Sequence, residues 1–145
     1  TNIHGVDSSR EMLDYCNDTT ATLHHSEQFP RVKCDAVICN WTLHFVKSKI
    51  SYITSVISQL KPGGIFILSE KTIKDPTAIE FYHDIKRANG VSEQEIADKA
   101  RSVENIMHIN SPEWYLAMLT DFGFERIQIF DADWCFTSFV CFLKK

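Results

Sequence analysis

The chain has 145 residues, with 15 Lys+Arg against 19 Asp+Glu, a net charge of -4 and 44% hydrophobic residues. These are the proportions of one globular domain, able to bury roughly two-thirds of its unfolded surface without metals or cross-links. The acidity argues against direct nucleic-acid binding, which rests on clustered Lys and Arg. No apolar run approaches the roughly 20 residues needed to span a bilayer, and no charged-then-apolar leader opens the chain, so no membrane partner is expected.

The elements follow from local pattern. Ile3 to Val6 is a short apolar strand, and Asp7-Ser8-Ser9 supplies capping oxygens for a helix from about Arg10 to Cys16. Thr20 to Leu23 is a second strand candidate. Asp35 to Asn40 is a clearer one, a continuous apolar run of the kind expected where a strand is covered on both faces. Ile50, Ile53, Val56, Ile57 and Leu60 then share one helical face, and Lys61-Pro62-Gly63-Gly64 is expected to stop that helix before a buried strand at Ile65 to Leu68.

Three helix starts come next: Asp75-Pro76, the Ser92-x-x-Glu95 capping box, and Ser111-Pro112. The last helix carries Tyr115, Met118, Leu119 and Phe122 on one stripe and ends at Gly123. Strands at about Phe124 to Phe130 and Phe136 to Leu143 are joined too closely for a crossover, so they should form an antiparallel hairpin. The expected class is therefore α/β: a mostly parallel sheet with helices on both faces and a terminal hairpin.

Five cysteines make an odd count with no C-x-x-C spacing, which gives neither a disulfide framework nor a zinc site. Cys39 and Cys141 sit in apolar runs and read as small hydrophobes in a reducing, cytoplasmic compartment. The six histidines are scattered and no metal is expected.

An acid ending an early strand (Asp7), the strand Cys34 to Asn40, the Leu60 to Gly64 turn and the terminal hairpin together resemble the class I, Rossmann-like S-adenosylmethionine (SAM)-dependent methyltransferases. Leu68-Ser69-Glu70-Lys71, Tyr82 through Gly90, and Ser92 through Met107 resemble the carboxy-S-adenosyl-L-methionine synthase family more narrowly. That resemblance implies a transferase that converts SAM and prephenate to carboxy-S-adenosylmethionine and phenylpyruvate, working as a homodimer and supplying tRNA wobble-uridine modification without gripping tRNA itself. It also implies that the first strand, its glycine-rich loop and its helix lie before Thr1. Residues 1–145 would then be one partial SAM-binding domain, with a helical insertion at 72–110.

Mapped residue by residue, the resemblance places Asp7, Ser8, His25, Ser26, Asn40 and Arg101 at the SAM site. Asp7 is suited to accept hydrogen bonds from both ribose hydroxyls, although capping the next helix is an alternative use. Ser8 differs from the family side chain at its position, so its backbone would serve. Asn40 ends the central strand, where ligands of open α/β sheets sit, and its amide offers a donor and an acceptor; turn formation is the alternative. Arg101 is the implied catalytic residue. A guanidinium can grip the extra carboxylate of carboxy-S-adenosylmethionine by two parallel hydrogen bonds. The competing use is a helix-surface pair with Glu104 or Asp98.

His25 and Ser26 stand where the family has an acid facing the adenine amine, and the preceding helix, between Asp7 and Thr20, is short for the family. Trp41 and Phe45 are placed to wall the pocket, although aromatics at such spacing more often belong to the core. Lys86 and Arg87 raise the local positive potential and are suited to assist a dianionic prephenate, but surface solvation is the favoured reading of both. A conventional SAM-dependent methyltransferase and a non-catalytic interaction or dimerisation module are the other two readings of the chain. The second draws on the absence of a close-spaced glycine turn in this sequence.

Overall fold

The computed structural model describes residues 2–16, 20–73 and 75–145. Strands β1 (Ile3–Asp7) and β2 (Ala21–His25) pair in parallel, with Ile3 opposite Ala21 and Asp7 opposite His25. The connection between them carries the helix α1 (Arg10–Asp14), which stops two residues short of the expected Cys16. Ser9 caps it by accepting from the Met12 N–H at 3.3 Å, and Leu13 is its buried anchor. The return to β2 passes through residues 17–19, part of the segment read as short for the family, which lie outside the described residues, as does Lys74 within the 72–110 span.

The rest of the chain builds a second sheet. β3 (Cys34–Asn40) leads through a 3-10 turn at Leu43–Phe45 to α2 (Lys49–Gln59) and β4 (Leu60–Lys71). Helices α3 (Pro76–Ala88), α4 (Glu93–Val103) and α5 (Pro112–Asp121) follow, then β5 (Phe124–Asp133) and β6 (Phe136–Leu143). The sheet order is β3-β4-β6-β5: β3 and β4 run parallel, and β6 is antiparallel to both its neighbours. All three expected helix starts are realised, with Asp75, Ser92 and Ser111 accepting from the N–H groups of Ala78, Glu95 and Trp114. The Ser92–Glu95 capping box is complete.

Two expectations are corrected. Lys61-Pro62-Gly63-Gly64 does not form a turn separate from the next strand: α2 ends at Gln59 and β4 begins at Leu60. Register shifts between Cys34 and Ala36, where β3 meets this stretch. Gly64 is required there, because a Cβ would come within 2.8 Å of the Lys61 carbonyl and 3.2 Å of the Asp35 carbonyl.

The larger correction concerns burial. β3 is not covered on both faces. Val37 and Cys39 are buried, with Phe66, Leu68, Phe139 and Cys141, beneath Ile53 and Val56 of α2 and Tyr115, Met118 and Leu119 of α5. On the opposite face Ile38 is 62% exposed, and its cross-strand partner Ile67 and the next residue in line, Val140, are only half buried. Among the described residues, no hydrogen-bonded ladder joins β1–β2 to β3, so both strands present an unpaired edge.

Candidate functional site

The carboxyl ends of β1 and β2 bring four of the expected site residues together. Asp7 and His25 are register partners, the Ser26 N–H donates to the Asp7 carbonyl at 3.0 Å, and His25 Nε2 lies 2.9 Å from the Ser8 carbonyl. Asp7 does not cap α1 through the N2 or N3 amide; Ser9 does that. Its Oδ1 accepts from the Ser9 N–H at 2.7 Å, which fixes the carboxylate while Oδ2 has no hydrogen-bond partner among the described residues. A half-buried carboxylate held by one oxygen is suited to accept from ligand hydroxyls with the other.

Asn40 ends β3 beside Ser69 of β4, exposed at the carboxyl edge. The chain turns sharply after it. Trp41 adopts φ +52, its N–H donates to the Ser69 carbonyl at 2.7 Å, and the Asn40 carbonyl accepts from the Thr42 hydroxyl at 3.0 Å. Trp41 and Phe45 are 63% and 45% exposed, so neither is the core aromatic that its spacing implied.

What holds this turn is Glu70, fully buried at the end of β4. Its Oε1 accepts from the N–H groups of Thr42 (3.0 Å) and Leu43 (2.7 Å), and its Oε2 from the His44 N–H (2.9 Å). The His44 ring nitrogen Nδ1 lies 2.6 Å from the same Oε2. One carboxylate thus satisfies the successive amides of a 3-10 turn, and each such bond to a charged acceptor contributes about 1.5–3 kcal/mol. A second brace comes from the connection before α5, where the His108 N–H donates to the His44 carbonyl at 2.6 Å and Lys49 Nζ donates to the His108 carbonyl at 2.6 Å. Sequence reasoning missed Glu70 as a functional support. The signal was there: a lone acid two residues beyond the apolar run Ile65-Phe66-Ile67-Leu68, on the same strand parity as Phe66 and Leu68.

Beneath the turn, Cys39 and Tyr52 are chemically quiet. Burial, reinforced by the Glu70 carboxylate, pushes the Cys39 thiol up to about 12, and burial likewise raises Tyr52. The Tyr52 ring meets Phe29 edge-on at 5.3 Å, which ties the exit of the two-stranded sheet to the core.

Arg101 lies in the last turn of α4 with its side chain 64% exposed, and it takes the helix-surface pair with Asp98. It makes no hydrogen bond to Asp7, His25 or Asn40 among the described residues. Arg87 also behaves as a surface residue, bonding Glu80, Asp84 and Glu93. Lys86 does not. Its ammonium sits 4.4 Å from the centroid of the Tyr82 ring, and burial, then Lys71 and Lys99, hold its pKa below the usual lysine value. Among the described residues, no group of three or more His, Cys, Asp or Glu side chains is arranged to hold a metal, and no helix is long and apolar enough to cross a membrane.

Comparison with known proteins places this arrangement. The chain is 34% identical to the carboxy-S-adenosyl-L-methionine synthase of Haemophilus ducreyi, over 95% of its own length and 64% of that protein. It is 33% identical to the synthase of the same name from Colwellia psychrerythraea, with the same coverage. In sequence the chain is similar to the carboxy-S-adenosyl-L-methionine synthases. It spans 64% of the length of these relatives, and a methyltransferase-domain family profile matches residues 1–68. Among solved structures, a SAM-dependent methyltransferase from Thermotoga maritima superposes with a TM-score of 0.70 at 14% identity, covering 98% of this chain and 73% of that one. The DhpI–SAH complex superposes at 0.66 with 16% identity, covering 99% and 66%. The fold is that of the class I SAM-dependent methyltransferases.

Proposed function

We propose that this chain carries the greater part of the active domain of a SAM-dependent transferase forming carboxy-S-adenosylmethionine from SAM and prephenate. The observation that carries the reading is the kinship across 95% of the chain, which includes the Arg101 helix as well as the fold's common strands. Asp7 binds the ribose through its uncommitted oxygen, and Asn40, on the turn that Glu70 holds, contacts the reacting end. The peptide groups of Ser8 and Ser26 and the His25 ring line the adenine side in place of an acid.

In the reaction the sulfonium methyl of SAM loses a proton and the resulting carbanion bonds to the carboxyl carbon that prephenate releases. Prephenate's ring becomes aromatic as its hydroxyl departs, so proton and hydroxyl leave together as water and phenylpyruvate remains. Arg101 leaves Asp98 to grip the new carboxylate. The two sheets are flanks of one interrupted sheet, the slot between β1 and β3 taking one parallel strand with a glycine-rich turn, and residues 72–110 are an insertion. The working unit is a cytoplasmic homodimer whose product serves tRNA modification.

The test is mass spectrometry of products from the natural protein incubated with SAM, with and without prephenate, for wild type and Arg101→Leu. Carboxylated product is expected only with prephenate and is lost in the variant, while SAM binding is retained. Product formed equally by Arg101→Leu would overturn the role of Arg101. Transfer of an unmodified methyl group would instead support a conventional methyltransferase, the reading that the exposed pair of Arg101 with Asp98 favours.

A further inference from the structure

We propose that Lys71, Tyr82 and Lys86 form the subsite for the second substrate, a ring-bearing carboxylate anion, beside Trp41. The proposal rests on the reaction read above and goes on to say where its carboxyl donor is held. The ring of Tyr82, on α3, has Lys86 Nζ of the same helix 4.4 Å and Lys71 Nζ of β4 5.5 Å from its centroid. Both lysines are half buried, and neither has a carboxylate partner among the described residues. The reason is local. Glu80 and Asp84, the acids on the same helix, are both taken by Arg87 together with Glu93, and Asp75 is spent capping α3. Two cations close to one ring with no anion to neutralise them repel one another, and a bound anion relieves that repulsion.

The position fits a reactant. Lys71 is the residue after Glu70 and closes β4 at the carboxyl end of the parallel strands, where ligands of this architecture sit. It is the register partner of Phe136, whose ring meets Tyr82 edge-on at 5.5 Å and Trp41 at 5.9 Å. Trp41, Phe136 and Tyr82 therefore make a continuous aromatic path from Asn40 to the two ammonium groups. Such a surface offers apolar contact to a six-membered ring and charge to its carboxylates.

The deciding experiment compares Lys86→Met, Lys71→Met and the rescue variant Lys86→Arg in the natural protein, after circular dichroism shows native helix content. Each Met variant is expected to raise KM for prephenate about tenfold or more, with KM for SAM unchanged and Lys86→Arg close to wild type. Binding of phenylpyruvate, followed by tryptophan fluorescence, should weaken in parallel and fall with salt, whereas its neutral methyl ester should bind weakly to all forms alike. Lys86 lies on an exposed helix, so its variant decides the matter if Lys71→Met fails to fold. Unchanged KM and unchanged phenylpyruvate affinity in Lys86→Met would overturn the subsite while leaving the reaction intact. Transfer of an unmodified methyl by wild type, with phenylpyruvate still bound through Lys86, would overturn the reaction while leaving the subsite.

Discussion

The two faces of the four-stranded sheet are built from equally apolar residues and have opposite fates. One carries Val37, Cys39, Phe66, Leu68, Phe139 and Cys141 and is sealed by α2 and α5. The other carries Ala36, Ile38, Ile65, Ile67, Val140 and Phe142, and none of these is buried. Arg126 lies 3.9 Å from the Phe142 ring, and among the described residues the carboxyl end of this face is roofed by Tyr82 of α3 over Phe136. The difference teaches that side-chain type sets what a strand can bury, whereas the amphipathic helices decide what it does bury. It also sorts the chemistry by strand parity. Glu70, which braces the site turn, points with the sealed face, and Lys71, next in line, with the open one.

Substitutions on the two faces should differ most. Phe66→Ala removes a fully buried ring stacked 5.9 Å from Phe124 and should cost about 3–5 kcal/mol in urea unfolding. An effect below that of a surface substitution would mean the sealed face is looser than its packing implies. Glu70→Gln on the same face should cost about 2–3 kcal/mol, and amide exchange at Thr42, Leu43 and His44 should accelerate selectively. Uniform acceleration along the chain would show that Glu70 supports the fold at large rather than this turn.

The buried thiols give a pH signature. Cys39 and Cys141, ordinarily near 9.0, are held up at about 12 by burial, so the native state keeps protons that the unfolded chain releases. Their contribution is fully present below pH 9.0 and declines as pH rises towards 12, by up to about 1.4 kcal/mol per pH unit per thiol. Urea midpoints at pH 7, 9 and 10.5 should thus be flat and then fall, and the exposed Cys16 should be alkylated before either buried thiol. Smallest of all, Ile38→Thr on the open face should change stability by no more than about 0.5 kcal/mol. A core-sized loss would show that something covers that face in solution.

Much of the site was legible because strand ends and caps are local. Asp7, Ser8, His25 and Ser26 lie together because two short parallel strands in register bring their last residues side by side. The partners of Glu70 and the surroundings of Lys86 were not legible. Whether an acid inside a strand faces a string of amides, or a lysine lies over an aromatic ring rather than in water, depends on elements that are distant in sequence: the turn after β3 in one case and the end of β4 in the other.

By itself the sequence determined the order and type of nearly every element, the capped helix starts at Asp75, Ser92 and Ser111, and the terminal hairpin, because these rest on periodicity and on bonds spanning a few residues. Only the tertiary structure decided which face of β3 is covered and which charges find partners. Those outcomes depend on long-range packing, which no window of neighbouring residues contains.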